Sequence, residues 1–366
     1  MNSLVSKARW LGALVTAGAL LIAGAGTAAA RTADGDDGPV AGVPQTVALH
    51  SNPVSVAVSP DGRKAYVSVK DKQVDGGAKL RVVDTRSGAV TADLTLSSRF
   101  DASGGPVAIS PDGTRVYVLY ASVQKSPPNM LGVIDTATDT VIATVPTPVQ
   151  PGSAGSYQGA LGSLAVTGDG SRVYVSQGGP EPPNRPVLEG ARVLRFDTGQ
   201  LAYTATVPVP GRYTGSVVVR SDGEDAYVST DAGVVHLDTS AATPAVVATV
   251  AVGGSFNHLA LSADESRLYG VTATGRGYAV DLAGDTVSAT MDIAPGQFLR
   301  GPSVSADGTR LYVVGTDSIF SIDTSTNTVA PGEGVKGLSA LSDLAIGPDG
   351  HTFYATADGG LRIIRF

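Results

Sequence analysis

Three residues carry side chains suited to acid–base chemistry, and they stand at comparable places in three consecutive repeats of the sequence. They are His258, Arg300 and Asp343. A histidine can act as a general base, an arginine can hold an oxyanion, and a carboxylate can orient or charge-balance the pair. The same three side chains can instead form a polar plug that keeps buried strand ends hydrogen-bonded. Both interpretations require the side chains to converge, so the elements that carry them come next.

These residues are carried by a hairpin that the chain repeats seven times. Its clearest copies read VAVSPDGRKAYVSV from Val56 and VAISPDGTRVYVLY from Val107. Asp-Gly supplies a turn position with φ > 0 and an aspartate that bonds its own backbone, and a tyrosine packs well on a pleated face. Each copy places a turn aspartate five residues before a tyrosine, and the pairs are Asp61/Tyr66, Asp112/Tyr117, Asp169/Tyr174, Asp222/Tyr227, Asp264/Tyr269, Asp307/Tyr312 and Asp349/Tyr354.

Two further apolar segments follow each hairpin except the last, which is followed by one. Examples are LRVVDT, from Leu80 to Thr85, and VIATVPT, from Val141 to Thr147. Each repeat therefore predicts four short strands, labelled a to d from the inside outward. A four-stranded unit cannot bury both faces of its sheet alone, and repeated units of four short strands are typical of propeller blades. The sequence predicts an all-β fold, a single seven-bladed β-propeller spanning residues 45–366.

The two ends of the repeat region complement each other. The last repeat stops at LRIIRF, Leu361 to Phe366, without a d strand, while QTVALHS, Gln45 to Ser51, precedes the first repeat. Pairing Val47–Leu49 with Leu361–Ile364 completes the seventh blade and removes two free sheet edges. We therefore expect a ring closed by its N-terminal strand.

The dipeptides behind the Asp-Gly turns resemble those of a known family. Tyr-Val occurs at Tyr66, Tyr117, Tyr174, Tyr227 and Tyr312, and this pattern is similar to that of the secreted YVTN-repeat (YncE-like) propellers. The resemblance covers residues 45–366 and departs from the pattern at Tyr269-Gly270 and Tyr354-Ala355. It implies the propeller fold. Related propellers include lactonases and amine-dehydrogenase-like chains, but a shared fold does not carry a function.

The N-terminus has the composition of an export signal. Lys7 and Arg9 precede the apolar stretch Leu11–Ala25, and small residues stand at Ala28 and Ala30. This pattern predicts a signal peptide over residues 1–30, with a single-pass anchor as the rival interpretation. An acidic, Gly/Pro-rich linker over 31–44 follows and is expected to be disordered. We predict a secreted or cell-envelope protein with no membrane span after cleavage.

Composition excludes several classes of site. The chain has no cysteine, which rules out disulfides, thiolate metal sites, a cysteine nucleophile and a lipidated N-terminal cysteine. Removal of Lys7 and Arg9 leaves 24 basic against 33 acidic residues, a net charge of −9 that disfavours nucleic-acid binding. No histidine pair has ligand spacing, and no calcium loop, nucleotide fingerprint or Gly-x-Ser-x-Gly elbow is present. The sequence predicts neither a metal nor a cofactor.

The regular aspartates at strand ends are predicted to cap turns. A ring of carboxylates can suggest a metal site, but each of these residues opens an equivalent short turn, where aspartate caps the backbone. The aspartates that end strand c are Asp84, Asp135, Asp197, Asp238, Asp281 and Asp323, and the turn aspartates of the hairpins receive the same interpretation.

Insertions concentrate on one face of the predicted ring. The b–c and d–a loops share this face, here called the upper face, and they are long only in blades 1 to 3, most of all at Gln177–Ala191. One-sided insertions in repeat proteins usually build a binding face, whereas neutral drift is the alternative. Tyr157, Tyr213 and Phe298 fall in d–a loops on this face, and with Asn257 they are the predicted ligand-binding residues.

Two functions stay open at this stage. The first is an exported binding or scaffold protein, predicted to be monomeric, that presents its upper face to a protein or small-molecule partner. The second is a propeller enzyme, a lactonase-like hydrolase or a lyase, acting through His258, Arg300 and Asp343 at the upper mouth of the central channel.

Overall fold

In the computed structural model of the protein, seven four-stranded antiparallel sheets are arranged as a seven-bladed β-propeller. The structure describes residues 44–71, 77–98, 102–122, 129–150, 160–179, 190–252 and 256–365. Within these ranges there is no helix, and so none that is long and apolar enough to cross a membrane. The all-β prediction is confirmed. The predicted signal peptide, and the linker up to residue 43, lie outside the described residues.

The first four blades follow one another along the chain in the order a, b, c, d. Blade 1 consists of β2 (Ser51–Val58), β3 (Lys64–Asp71), β4 (Ala78–Asp84) and β5 (Val90–Ser97). Blade 2 consists of β6 (Ala102–Ile109), β7 (Arg115–Ser122), β8 (Met130–Asp135) and β9 (Thr140–Pro146). Blade 3 consists of β10 (Leu161–Val166), β11 (Arg172–Gln177), β12 (Arg192–Asp197) and β13 (Ala202–Pro208). Blade 4 consists of β14 (Thr214–Val219), β15 (Asp225–Thr230), β16 (Gly233–Asp238) and β17 (Ala245–Val250).

The remaining three blades include the one that joins the chain ends. Blade 5 consists of β18 (Phe256–Leu261), β19 (Arg267–Thr272), β20 (Arg276–Asp281) and β21 (Thr286–Asp292). Blade 6 consists of β22 (Arg300–Val304), β23 (Arg310–Val314), β24 (Ser318–Asp323) and β25 (Thr328–Lys336). Blade 7 consists of β26 (Asp343–Ile346), β27 (Thr352–Ala357), β28 (Gly360–Arg365) and, as its outermost strand, β1 (Gln45–Ala48).

The predicted closure is confirmed, with a small change in its bounds. β1 pairs antiparallel with β28, and Val47 lies opposite Leu361. The pairing ends earlier than predicted, because His50 adopts a left-handed φ of 50° and the chain bends there into β2, which already begins at Ser51. The Leu49 amide still donates to the Gly359 carbonyl at 2.9 Å.

Burial falls from the middle of each blade to its rim. The b strands are almost wholly buried, and their tyrosines Tyr66, Tyr117, Tyr174 and Tyr227 are among the largest fully buried side chains. The d strands are the most exposed; in β9 every residue is exposed or half-buried, and even Val141 and Ile142 are exposed. Neighbouring blades cover both faces of the inner strands, and the ring core therefore rests on blade-to-blade stacking.

The aspartates predicted to cap turns do so. In the a–b turn of blade 1, the Asp61 carboxylate accepts hydrogen bonds from the Ser59 hydroxyl at 2.6 Å and the Arg63 amide at 3.0 Å. At the end of strand c in blade 6, Asp323 accepts hydrogen bonds from the Ser325 hydroxyl and from the amides of Ser325 and Thr326. These bonds lower the pKa of Asp323 to about 2. The equivalent carboxylates accept comparable amide bonds in every blade that has them.

A threonine hydroxyl ties these two turns together within a blade. The threonine that follows the strand-c aspartate donates to the carbonyl of the Asp-Gly glycine, as Thr239 does to Gly223 at 2.8 Å. The same bond is made by Thr85, Thr136, Thr198 and Thr324. Blade 5 lacks this bond because Leu282 replaces the threonine donor; Glu265, which replaces the glycine there, still carries a backbone carbonyl.

Removal of this bond is expected to lower the stability of the protein, which is a first testable prediction. Replacing Thr239 with valine keeps the shape of the side chain but removes the donor to a buried carbonyl, and we expect a loss of about 1 kcal/mol in the free energy of unfolding. The matched control is Thr249→Val, at an exposed position on β17 of the same blade. Urea unfolding of both variants checks the prediction, and equal stabilities for the two would contradict it.

Candidate functional site

The inner strands of all seven blades enclose a cavity of about 860 Å³ on the ring axis. One repeat position, five residues before the turn aspartate, contributes an apolar residue to its wall from six of the blades, and these residues are Val107, Leu164, Val217, Leu259, Pro302 and Leu344. Its polar positions come mostly from the residue before, such as Ser55, Ser163 and Ser216. A cavity of this size is typical of small-molecule sites rather than of single ions.

The structure brings His258, Arg300 and Asp343 together on this cavity. They pair with Val271, Val314 and Thr356, which all stand two residues after the repeat tyrosine in strand b.

A β-bulge places Arg300 in this set. Counted back from the turn aspartate, Arg300 lies one residue further away than His258 or Asp343. The register of blade 6 shifts between Arg300 and Ser303, where Gly301 adopts a left-handed φ of 53°. Bulges occur near the same end of strand a in blades 1 to 6, and a bulge re-aims the side chains around it.

His258 presents a neutral imidazole to the cavity. Burial, together with the positive charge of Arg300, lowers the pKa of His258 to about 4. Among the described residues, nothing forms a hydrogen bond or ion pair with its ring. An uncharged imidazole offers one donor and one acceptor nitrogen. His258 is therefore available to bond a ligand or to accept a proton from it.

Arg300 is held at the edge of the cavity by its neighbours. Its guanidinium carbon lies 4.6 Å from the centroid of the Phe298 ring, and its Nη1 donates to the Leu341 carbonyl at 3.2 Å. No carboxylate in the described part of the chain forms an ion pair with it. Stacking and one carbonyl bond leave other N–H donors of the fork unused.

Asp343 is occupied by a contact between blades. Its Oδ2 accepts from the Ser55 hydroxyl at 2.7 Å and from the Val56 amide at 3.1 Å, which connects blade 7 to blade 1. Burial raises the pKa of Asp343, and these hydrogen bonds oppose the shift. Among the described residues it forms no ion pair with Arg300 and no hydrogen bond with His258. Its observed bonds serve ring closure.

Serines make the corresponding contact elsewhere in the ring. The Val217 amide donates to Ser163 Oγ at 2.6 Å, between blades 3 and 4. The Val107 amide donates to Ser55 Oγ at 3.3 Å, between blades 1 and 2. A side-chain oxygen on one inner strand thus accepts from the backbone of the next. Asp343 is the carboxylate form of this contact.

The predicted ligand-binding residues divide between the cavity and its surroundings. Phe298 lines the cavity. Tyr213 does not; it is 49% exposed, and the Arg212 guanidinium carbon lies 5.9 Å from its ring centroid. Asn257 lies at the bulge of β18, and its side chain is not among those that the structure describes. Tyr157 falls outside the described residues, as do the longest parts of the upper-face loops.

Sequence reasoning missed a buried arginine at the base of those loops. Arg192 is 5% exposed, and it donates to Gln177 Oε1 from Nε at 2.9 Å and from Nη2 at 2.7 Å. Nη2 also donates to the Pro148 carbonyl at 2.5 Å. Burial lowers the pKa of Arg192 to about 10. The two longest loops of blade 3 are therefore joined at their bases, and the only sequence signal was the position of Arg192 beside the long b–c insertion.

A second missed cluster lies between blades 4 and 5. His236 Nε2 is 2.9 Å from Asp225 Oδ1, its Nδ1 is 3.0 Å from Asp285 Oδ2, and its ring stacks on Tyr227 at 4.7 Å. Burial alone would lower the pKa of His236, but the hydrogen bonds to Asp225 and Asp285 raise it above its ordinary value. The two carboxylates occupy opposite sides of the ring, and no group of three His, Asp or Glu side chains suited to a metal ion occurs among the described residues.

The His236 cluster predicts how stability depends on pH. Because its pKa is raised on folding, its contribution is complete below the unfolded value of about 6.5 and is lost as pH rises through the higher folded value. We expect His236→Gln to lower the melting temperature more at about pH 5.5 than at about pH 9. The control is His351→Gln, at an exposed turn position. A His236→Gln deficit that stays constant with pH would show that protonation adds nothing.

Comparison with known proteins places the fold but not a family. No protein-family model matches the chain, and no curated protein matches its sequence. Among solved structures, hydrazine synthase of Kuenenia stuttgartiensis is similar, with a TM-score of 0.67 and 15% sequence identity over 87% of this chain and 96% of that one. A likeness at this identity shows the shared propeller fold alone.

Proposed function

We propose that the protein is an exported binding propeller that takes a small molecule into the cavity on the ring axis. Membership of the YVTN-repeat family and export through residues 1–30 belong to this proposal, supported by the repeat dipeptides and by the N-terminal composition.

One observation carries the proposal. The cavity wall combines apolar side chains with a guanidinium that lacks a carboxylate partner among the described residues and with an imidazole that lacks hydrogen bonds among them. Small-molecule sites are concave and mostly apolar, with a few convergent polar groups. A plug would be expected to satisfy its own polar groups. Among the described residues, Asp343 has two hydrogen-bond donors, whereas Arg300 bonds only the Leu341 carbonyl and the His258 ring bonds nothing.

An enzymatic role is the second candidate, and His258 is what favours it. A neutral imidazole beside a positive charge can act as a general base toward a substrate held by Arg300. The observed bonds of Asp343 go to Ser55 and Val56 rather than to His258, so the third member of a catalytic trio has another task. Binding without turnover is therefore the better-supported function.

A ligand screen with a blocked cavity tests the proposal. Thermal unfolding is measured with a panel of small organic acids, amides, amines, amino acids, sugars and lactones. Ser216→Phe is the blocking variant, since Ser216 lines the cavity and a phenyl group there fills part of it. We expect at least one class to raise the melting temperature of the wild type but not of Ser216→Phe. Shifts that are absent, or equal in both proteins, would overturn a site in the cavity.

The same panel separates binding from catalysis. Each compound that stabilises the wild type is incubated with it and followed by proton NMR. We expect the compound to stay intact. Conversion that disappears in His258→Ala would establish the enzymatic alternative.

A further inference from the structure

We infer that the cavity is built for an organic monoanion: a small carboxylic acid with an apolar body, whose carboxylate is received by Arg300. This inference rests on the proposed function and specifies its ligand. It follows from three features of the cavity: the position of the positive charge, the character of the wall and the location of the carboxyl group of Asp343.

The positive charge of Arg300 has no carboxylate partner among the described residues. Arg300 is half-buried, and these residues supply an aromatic face and one carbonyl oxygen but no anion, so a ligand anion can offset the part of its hydration that is lost. The fork of an arginine matches the two oxygens of a carboxylate. Stacking on Phe298 fixes the plane of the fork, and Nη1 is steadied by Leu341. A pre-positioned guanidinium at a cavity wall is a carboxylate receptor.

The second polar group is neutral and complements the first. His258 carries no charge at neutral pH because of burial and of Arg300 itself, so the cavity keeps one positive charge instead of two. Its imidazole can donate one hydrogen bond to the ligand and accept another. The pair suits a single anionic group better than a phosphate-rich ligand, which usually meets several cations.

The wall sets the rest of the ligand. Behind the polar end, the cavity is lined by Val217, Leu259, Leu344 and their equivalents, so an apolar body can be buried against it. The volume of about 860 Å³ exceeds what an inorganic anion fills. An organic acid would place its carboxylate at Arg300 and its apolar body against this wall.

Asp343 limits the ligand to one negative charge. Its carboxyl group lines the same cavity on the blade next to Arg300. A second carboxylate in the ligand would add a further negative charge to a cavity that already holds this group, and like charges in a poorly solvated space are unfavourable. The site should therefore accept monocarboxylates over dicarboxylates of equal length.

Matched acids and amides test the inference directly. Binding of hexanoate, benzoate, hexanamide and benzamide to the full chain is measured by ligand-observed NMR and calorimetry at about pH 7. We expect each acid to bind at least about tenfold more tightly than its amide. Adipate should bind more weakly than hexanoate, and Asp343→Asn, which keeps an acceptor for Ser55 and Val56, should narrow that difference.

The decisive variant is Arg300→Gln. It should reduce the preference for acid over amide to about twofold or less while amide binding stays nearly unchanged. Arg212→Gln is the matched control, because Arg212 also stacks on an aromatic ring but does not line the cavity. Equal binding of acids and amides to the wild type, or an acid preference that survives Arg300→Gln, would overturn the inference.

The outcomes separate this inference from the proposed function. If no acid binds but another compound of the panel does so in a manner blocked by Ser216→Phe, the cavity is a binding site for a different class of ligand and the monoanion inference is wrong. If no compound of any class binds in a Ser216→Phe-sensitive manner, both fail.

Discussion

Replacing Val47 with aspartate is expected to lower the free energy of unfolding by about 3 kcal/mol or more, the loss of a buried valine together with burial of an unpaired carboxyl. Val47 is 4% exposed and belongs to the core cluster of Leu49, Tyr354, Leu361 and Ile363. It lies on the strand that completes blade 7, so its loss weakens the junction between the two ends of the chain. Thermal unfolding should show a fall of about 5 °C or more.

The neighbouring residue supplies the control for this experiment. Thr46 lies on the same strand but is exposed, so Thr46→Asp adds the same charge outside the core. We expect its melting temperature to stay within about 1 °C of the wild type, as for ordinary surface changes. A Val47→Asp protein that melts with Thr46→Asp would mean that the ring does not depend on β1 for closure.

Truncation of Asp343 is expected to lower the stability of the protein more than truncation of His258 does. Asp343→Ala leaves the Ser55 hydroxyl and the Val56 amide without their acceptor between the last and first blades, and we expect a loss of about 1–3 kcal/mol in stability. His258→Ala removes a ring with no hydrogen bond to the described residues. Its melting temperature should change by less than that of Asp343→Ala, while ligand binding falls.

A conservative variant checks the cause of the Asp343 effect. Asp343→Asn retains an oxygen acceptor at the same place, and it should recover most of the stability lost in Asp343→Ala. If His258→Ala destabilises the protein as much as Asp343→Ala does, the polar residues at the cavity act as a plug and the ligand account is wrong.

The architecture could be predicted because its determinants are local and repeated. An Asp-Gly turn, a tyrosine five residues after the turn aspartate and an aspartate that caps the turn after strand c each specify their local backbone, and the repetition leaves few alternatives. Closure was predictable for a related reason: the last repeat lacks a strand and the N-terminus has an additional one, and pairing it with the last repeat leaves no free sheet edge there. Only the end of β1 differed, because His50 bends the chain before Ser51.

The position of the site could be predicted from the sequence, but the hydrogen bonds of its residues could not. The inner end of strand a could be located from the repeat, and His258, Arg300 and Asp343 do line one cavity. The β-bulge that gives Arg300 its place has no unique sequence signal. The bond between Ser55 and Asp343 joins residues that are far apart in the sequence, on the first and last blades, and exists only after closure. Pairwise contacts of this kind depend on the register between blades, which repeat counting does not supply.

The clusters around Arg192 and His236 illustrate the same limit. Each was visible only as a polar residue near a loop or inside an apolar strand. Their partners, Gln177 and Pro148 for Arg192 and Asp225 and Asp285 for His236, come from neighbouring strands and turns. The structure assigns both clusters to joining loops or blades, which leaves the cavity as the candidate site.

The most direct test of a ligand site on the ring axis is the NMR signal of its histidine. The chain has four histidines, His50, His236, His258 and His351, so the imidazole region of the spectrum is simple to assign with one His→Gln variant for each. The monocarboxylate that binds most tightly is titrated into the wild type and into Arg300→Gln. The account predicts that the His258 signals shift with the bound fraction, that those of His236 and His351 stay in place, and that Arg300→Gln removes the shift. A bound ligand that leaves His258 unmoved, or that moves His351 instead, would contradict a binding site in the channel.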